Sequence, residues 1–377
     1  PDGFVQAWEV AAFTPLAAAR AGIAQTLRER EQAVLAGDKA AFLATVSQDD
    51  AVFQAEERRW FDDLSRHPVS TYALKAQLVA LDERGALARL QMTATMQEGG
   101  KAVEASYVAR FIRVGDRWVL AGPDWAVESG EHFRVRYAPP TTPETARAVL
   151  DAAERAYAQV TADLGHTPSS PTEIKLYDDH AAMRASIRLS VPSWAKSGYE
   201  PGEAIKVWTG AKGMDFTAVI AHEFTRRVLF DLGVDLDWLR EGVAVFESMR
   251  AAPETAAPAQ SRYVPSVREA RRTQKLLDWA NMPTDDEVAE QDTTLYYGQA
   301  WMFVDEFVRQ FGPESLNGLL RALGEGRGFA QGFSVAARMP FSQWEPQWQE
   351  AVRLGGVPAE LIRAAQAFSA DRALATV

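Results

Sequence analysis

Residues 215–248, DFTAVIAHEFTRRVLFDLGVDLDWLREGVAVFES, constrain this chain more than any other stretch. They read as two helices joined by a short turn, with Gly233 as the stop of the first and Asp237 as the cap of the second. Side chains four apart on a helix share a face, so His222 and Arg226 point toward the same spot, with Glu223 turned by ~100° from His222. The second helix brings Glu241, with Gly242 beside it expected to let the two helices approach closely. A histidine, two carboxylates and an arginine therefore lie on one predicted helix pair.

The chain ahead of this pair divides by its periodicity. Residues 17–36 carry Ile23, Leu27 and Val34 at helical spacing and stop at Gly37-Asp38, and two further helices are expected at 39–46 and 51–66. The period then becomes two. Tyr72, Leu74, Ala76 and Leu78 alternate with Thr71, Ala73, Lys75 and Gln77, and Leu90, Met92, Ala94 and Met96 do the same in the next run. Two more strands follow at 105–113 and 117–121, joined by Gly115-Asp116. Helices followed by a meander of long antiparallel strands give an α+β cone over residues 10–127. In element order, and in the closing G-D-R-W-V-L of residues 115–120, this segment resembles the nuclear transport factor 2-like fold. The resemblance implies an enclosed pocket for a small molecule and a homodimer through the cone. Glu57, Arg58, Arg59 and Trp60 are candidates to line such a pocket; the competing view is a solvated helix face beside a core tryptophan. No chemistry is assigned to this domain.

Residues 122–131 read as a boundary, and 132–377 as the second domain. A strand at 132–137 leads to a helix capped by Thr142, with Pro143 at its first position and Val149, Ala153, Tyr157, Val160 and Leu164 along one face, ending at Gly165. Strands follow at 173–177 and 204–208. In this order the segments HFRVRY, EIKLY, PGEAIKV, AHEFTR, WLREGVAVFE and YGQAWMFVDEFV resemble the peptidase MA-like branch of the gluzincin zinc metallopeptidases. The domain is thus expected to hold a small sheet and a mostly helical C-terminal part. The resemblance implies a hydrolase with zinc held by His222, the residue at position 226 and Glu241, with Glu223 as general base on the metal-bound water. It also implies a tyrosine, Tyr297 or its neighbour Tyr296, near the oxyanion. A strand just before the motif helix would pair with an extended peptide.

Arg226 breaks this scheme. Arginine has no acceptor lone pair, so it cannot ligate a metal. At ~4 Å and an effective dielectric of about 20, a +1/+2 pair costs on the order of 8 kcal/mol. Zinc binding to structural sites contributes only ~10–16 kcal/mol at neutral pH. Without a metal, two buried carboxylates would face each other with no cation, and Arg226 supplies one. Its guanidinium is expected near the metal position, paired with Glu241 as a salt-bridge substitute for the ion. Arg227 is equally cationic and offers no rescue. His67, His132, His166 and His180 show no spacing that would replace the lost ligand, Trp238 and Phe246 read as core, and Glu247 reads as a structural carboxylate on another helix face.

Composition removes other classes. A formal charge of −11 without any Lys/Arg block argues against a nucleic-acid partner. The absence of cysteine excludes disulfides and thiolate chemistry. No apolar run approaches the ~18–20 residues that cross a bilayer. Because the chain begins at Pro1, a removed N-terminal segment is the expectation, and the gluzincin resemblance implies an exported or cell-surface bacterial protein. The sequence thus points to a two-domain α+β pseudopeptidase that binds peptide or protein and carries no cofactor as it stands. One rival is an active zinc metallopeptidase, through rescued ligation or because Arg226 is an introduced change. Another is small-molecule binding by the cone.

Overall fold

The computed structural model describes residues 7–284 and 287–354. The protein mixes helices and strands in two compact units, one of residues up to Ala148 together with Thr172–Lys212, the other of Val149–Pro171 and the described residues from Gly213 on.

The first unit opens with α1 (Ala7–Ala36), α2 (Lys39–Leu43) and α3 (Ala51–Asp63). Asp38 and Asp50 cap the two shorter helices, accepting from Ala41 N and Phe53 N at 2.9 Å each. Strands β1 (Val69–Asp82), β2 (Gly85–Met96), β3 (Ala102–Val114) and β4 (Arg117–Pro123) form an antiparallel sheet in sequence order. The period-two reading sets its buried face: Leu90, Met92, Ala94 and Met96 are all buried. Ile23 and Leu27 of α1 pack on Ala86, Ala88, Leu90 and Phe111 of that face.

The same unit holds a five-stranded mixed sheet of order β5-β6-β7-β9-β8, from β5 (Ala126–Ser129), β6 (Phe133–Tyr137), β7 (Thr172–Tyr177), β8 (Ser197–Gly198) and β9 (Ile205–Trp208). β6, β7 and β9 run parallel, flanked by antiparallel edges. A buried ion network ties the three-helix segment to these strands. Lys175 Nζ of β7 lies 2.5 Å from Glu56 Oε2 on α3, and Lys206 Nζ of β9 lies 3.6 Å from Glu56 Oε1 and 3.0 Å from Glu203 Oε2. Arg59 continues it to Glu203 at 2.8 Å. Trp60 donates to Ala185 O at 3.0 Å, Arg58 to Gln54 at 2.8 Å, and Glu57 pairs with Arg30. Of the four residues considered for a pocket wall, Glu57, Arg59 and Trp60 thus hold α3 to its surroundings, while Arg58 bonds within α3.

The second unit is helical. α4 (Pro143–Leu164) begins in the first unit and continues into it. It is followed by α6 (Phe216–Asp231), α7 (Asp237–Ala251), α8 (Pro253–Arg272), α9 (Thr293–Phe311), α10 (Pro313–Gly324), α11 (Phe329–Ala337) and α12 (Phe341–Leu354), while α5 (His180–Ile187) belongs to the first unit. Its core is aromatic: Phe303 of α9 sits 5.0 Å from Trp238 and 5.2 Å from Trp344, ring centre to ring centre. Two sequence expectations need correction here. The N-cap of α7 is Leu236; Asp237 is the first helical residue and pairs with Arg240. Gly242 serves the α7–α9 crossing rather than α6–α7, because a Cβ there would lie 2.5 Å from Ala300 O. Among the described residues, no helix is long and apolar enough to cross a membrane.

Candidate functional site: a carboxylate bridged by histidine and arginine

α6 starts at an Asp215 cap that accepts from Ala218 N at 3.0 Å, and ends at Leu232-Gly233, where Gly233 adopts a left-handed φ of 76°. The turn into α7 is fastened by Arg240, which donates to Val234 O at 2.8 Å and stacks on Phe230. These devices set the angle between the two helices. The close α7–α9 crossing at Gly242 then fixes the neighbouring residue, Glu241, in the interior.

Glu241 is 2% exposed. His222 Nε2 lies 3.1 Å from its Oε2, and Arg226 Nη1 lies 3.2 Å from its Oε1. Each carboxylate oxygen is therefore within ion-pair distance of a side-chain nitrogen, both from the same face of α6. Glu223 is also buried, at 3%, and its charge acts on His222. Burial alone would push the Glu241 carboxyl upward; Arg226, followed by the hydrogen bond and charge of His222, overcomes this and holds it at about 2. Burial disfavours the His222 cation, but the hydrogen bond to Glu241 and the charges of Glu241 and Glu223 outweigh that, against an opposing contribution from Arg226, and leave its pKa raised. The result is a cluster of two buried acids and two partly buried basic side chains.

This donor set does not fit a catalytic zinc ion, which needs three protein ligands and an open position. Position 226 carries a cation, and that cation occupies an oxygen of the second remaining ligand. Among the described residues, no group of three or more His, Asp or Glu side chains is arranged to hold a metal. Three of the other histidines have local partners: His67 lies 3.9 Å from Asp63, His132 lies 3.7 Å from Glu131, and His180 stacks on Trp208. Arg227 pairs with Asp231 at 3.2 Å. Tyr296 is fully buried at the start of α9, and Tyr297 packs with Val245, Met249, Tyr263 and Trp301.

One titratable cluster escaped the sequence reading. Glu247, 1% exposed, accepts from Gln159 at 3.1 Å, and Arg250 Nη2 pairs with Asp163 at 3.0 Å. Burial, then the negative charge of Asp163, raises the Glu247 pKa to about 8. The only sequence signal was the recurrence of charge on the last turns of α4 and α7, which helical spacing alone does not pair.

The chain matches no known family model and no curated protein. Among solved structures it has a weak similarity to native yeast LTA4 hydrolase, at 11% identity and a TM-score of 0.39. The alignment covers 76% of this chain and 59% of that one.

Proposed function

We propose that the chain is a pseudopeptidase: a gluzincin-like helix pair in which the guanidinium of Arg226 takes the place of a catalytic zinc ion. The observation that carries this reading is the Glu241 carboxylate held between Arg226 and His222. A metallopeptidase needs the metal to lower the pKa of its attacking water, and Glu223 acts on that water. With an arginine at position 226 the cluster keeps a cation beside Glu241 and loses its Lewis acid. The surface around such a site then binds extended peptide, or an extended segment of a partner protein, without cleaving it. The sequence segments from 132 to about 350 that resemble the gluzincins support the same view.

The test is fluorescence polarisation with a library of labelled extended peptides, each recovered afterwards and checked by mass spectrometry. Saturable binding with every peptide intact is the expected result. Cleavage that stops on adding a zinc chelator would overturn the proposal, and so would the absence of binding to any peptide.

A further inference from the structure

Between α1 and the β1–β2 pair of the first unit lies an open cavity of about 510 Å³. Its volume falls in the range of small-molecule sites, which run roughly 300–1,000 Å³. Ile23 and Leu27 on the helix and Leu74 and Leu78 on the strand make an apolar floor. Small side chains line it from both elements, Ala24 on α1 and Ala76 on β1.

The polar side chains of the lining are two arginines, one acid and Gln77, whose amide both donates and accepts. Arg20 and Arg28 extend from the same helix, the latter steadied by Gln25 Oε1 at 2.6 Å. The acid in the lining, Glu31, is committed to the backbone: it accepts from Leu74 N. That bond also reports which way the strand faces. β1 is an edge strand, so the N–H of Leu74 points away from β2, and two residues on the N–H of Ala76 points the same way. A cavity with an apolar floor, two guanidinium groups and an outward backbone N–H suits an anionic head with an apolar tail. The basic lining contrasts with a chain of net charge −11. Inorganic phosphate would leave the floor uncovered, and an organic cation would meet both arginines.

We infer that this cavity binds a medium-chain carboxylate, its carboxylate toward Arg20 and Arg28 and its chain against Ile23, Leu27 and Leu78. The inference does not depend on the peptidase-like half or on Arg226. Isothermal titration of the full chain with decanoate, kept below its micellar concentration, tests it. Saturable one-to-one binding is expected, weakened roughly tenfold or more when Ala24→Phe fills the cavity. Combined Arg20→Gln and Arg28→Gln should weaken decanoate by about the same factor while leaving decanol unchanged, since only the ionic contacts are removed. Ala76→Phe fills the same space from the strand side and serves if Ala24→Phe fails to fold. No saturable decanoate binding, decanol binding as tightly as decanoate, or full affinity in a folded cavity-filling variant would each overturn the inference.

Discussion

Replacing Arg226 with methionine tests the charge argument with the chain length of the side chain nearly kept. A carboxyl that ionises at 4.5 in the unfolded chain and at about 2 in the fold favours the folded state by about 3 kcal/mol at neutral pH. Arg226 is the largest favourable contribution to that depression, with His222 second. Without it, a carboxylate that is 2% exposed keeps its burial cost, offset only by His222 and the charge of Arg240. Breaking a buried pair from one side typically costs about 3–5 kcal/mol, so Arg226→Met should destabilise the second unit by about 3 kcal/mol. Urea unfolding at pH 7, followed by circular dichroism and tryptophan fluorescence, measures this. Adding Glu241→Gln to Arg226→Met removes the stranded charge and should recover at least half of the loss. The pH dependence has a definite sign. A depressed acid stabilises above its unfolded pKa and loses that contribution as pH falls through its folded one, so the gap between wild type and variant should close between about 4.5 and 2. His222 works in the opposite sense. Its raised pKa contributes stability that is complete below 6.5 and is lost as pH rises through the folded value. Since Arg226 opposes its protonation, NMR titration should show the His222 pKa rising further in Arg226→Met. A loss under about 1 kcal/mol, as for an exposed pair, or a double variant no more stable than the single one, would refute the reasoning.

Two other substitutions probe the frame around the site. Gly242→Ala places a Cβ 2.5 Å from Ala300 O, so α7 and α9 must separate; thermal melts should show a loss of about 1–3 kcal/mol or more, with Glu241 displaced along with its helix. Glu247 carries a raised pKa of about 8, so the folded state holds a proton there that the unfolded chain releases from 4.5 upward. Its contribution to stability therefore falls as pH rises from 4.5 to about 8, and Glu247→Gln should flatten the melting temperature across that window.

Much of the local structure was written in periodicity and caps. The alternation of Leu90, Met92, Ala94 and Met96 gave the buried face of β2 because one face of that sheet is covered and the other is wet. The shared face of His222 and Arg226 followed from a four-residue helical spacing, whereas Glu241 beside them was expected only from the family resemblance. What failed to show depends on partners distant in sequence. α8 contains Pro258 and Pro265, which argue against a helix when read alone, yet it runs from Pro253 to Arg272 against α9 and α12. Asp237 resembled a cap because acids favour both the cap and the first turn; its real role is the ion pair with Arg240. The close contact of Gly242 with Ala300 spans elements that nothing local connects. The Glu56–Lys175–Lys206 network is likewise invisible in one dimension, since each residue reads as an ordinary surface charge until the fold buries all of them. The cavity beside α1 went unread because alanine in a helix signals helix propensity, not missing volume.

The central claim is that arginine 226 stands in for the metal, and zinc content measures it most directly. After equilibration with zinc and removal of the excess, metal analysis of the chain as it stands should give far less than one zinc per chain. Arg226→His, which restores a donor four residues from His222, should bring the content toward one per chain. Stoichiometric zinc on the unaltered chain, removed by a chelator together with peptide cleavage, would contradict the account.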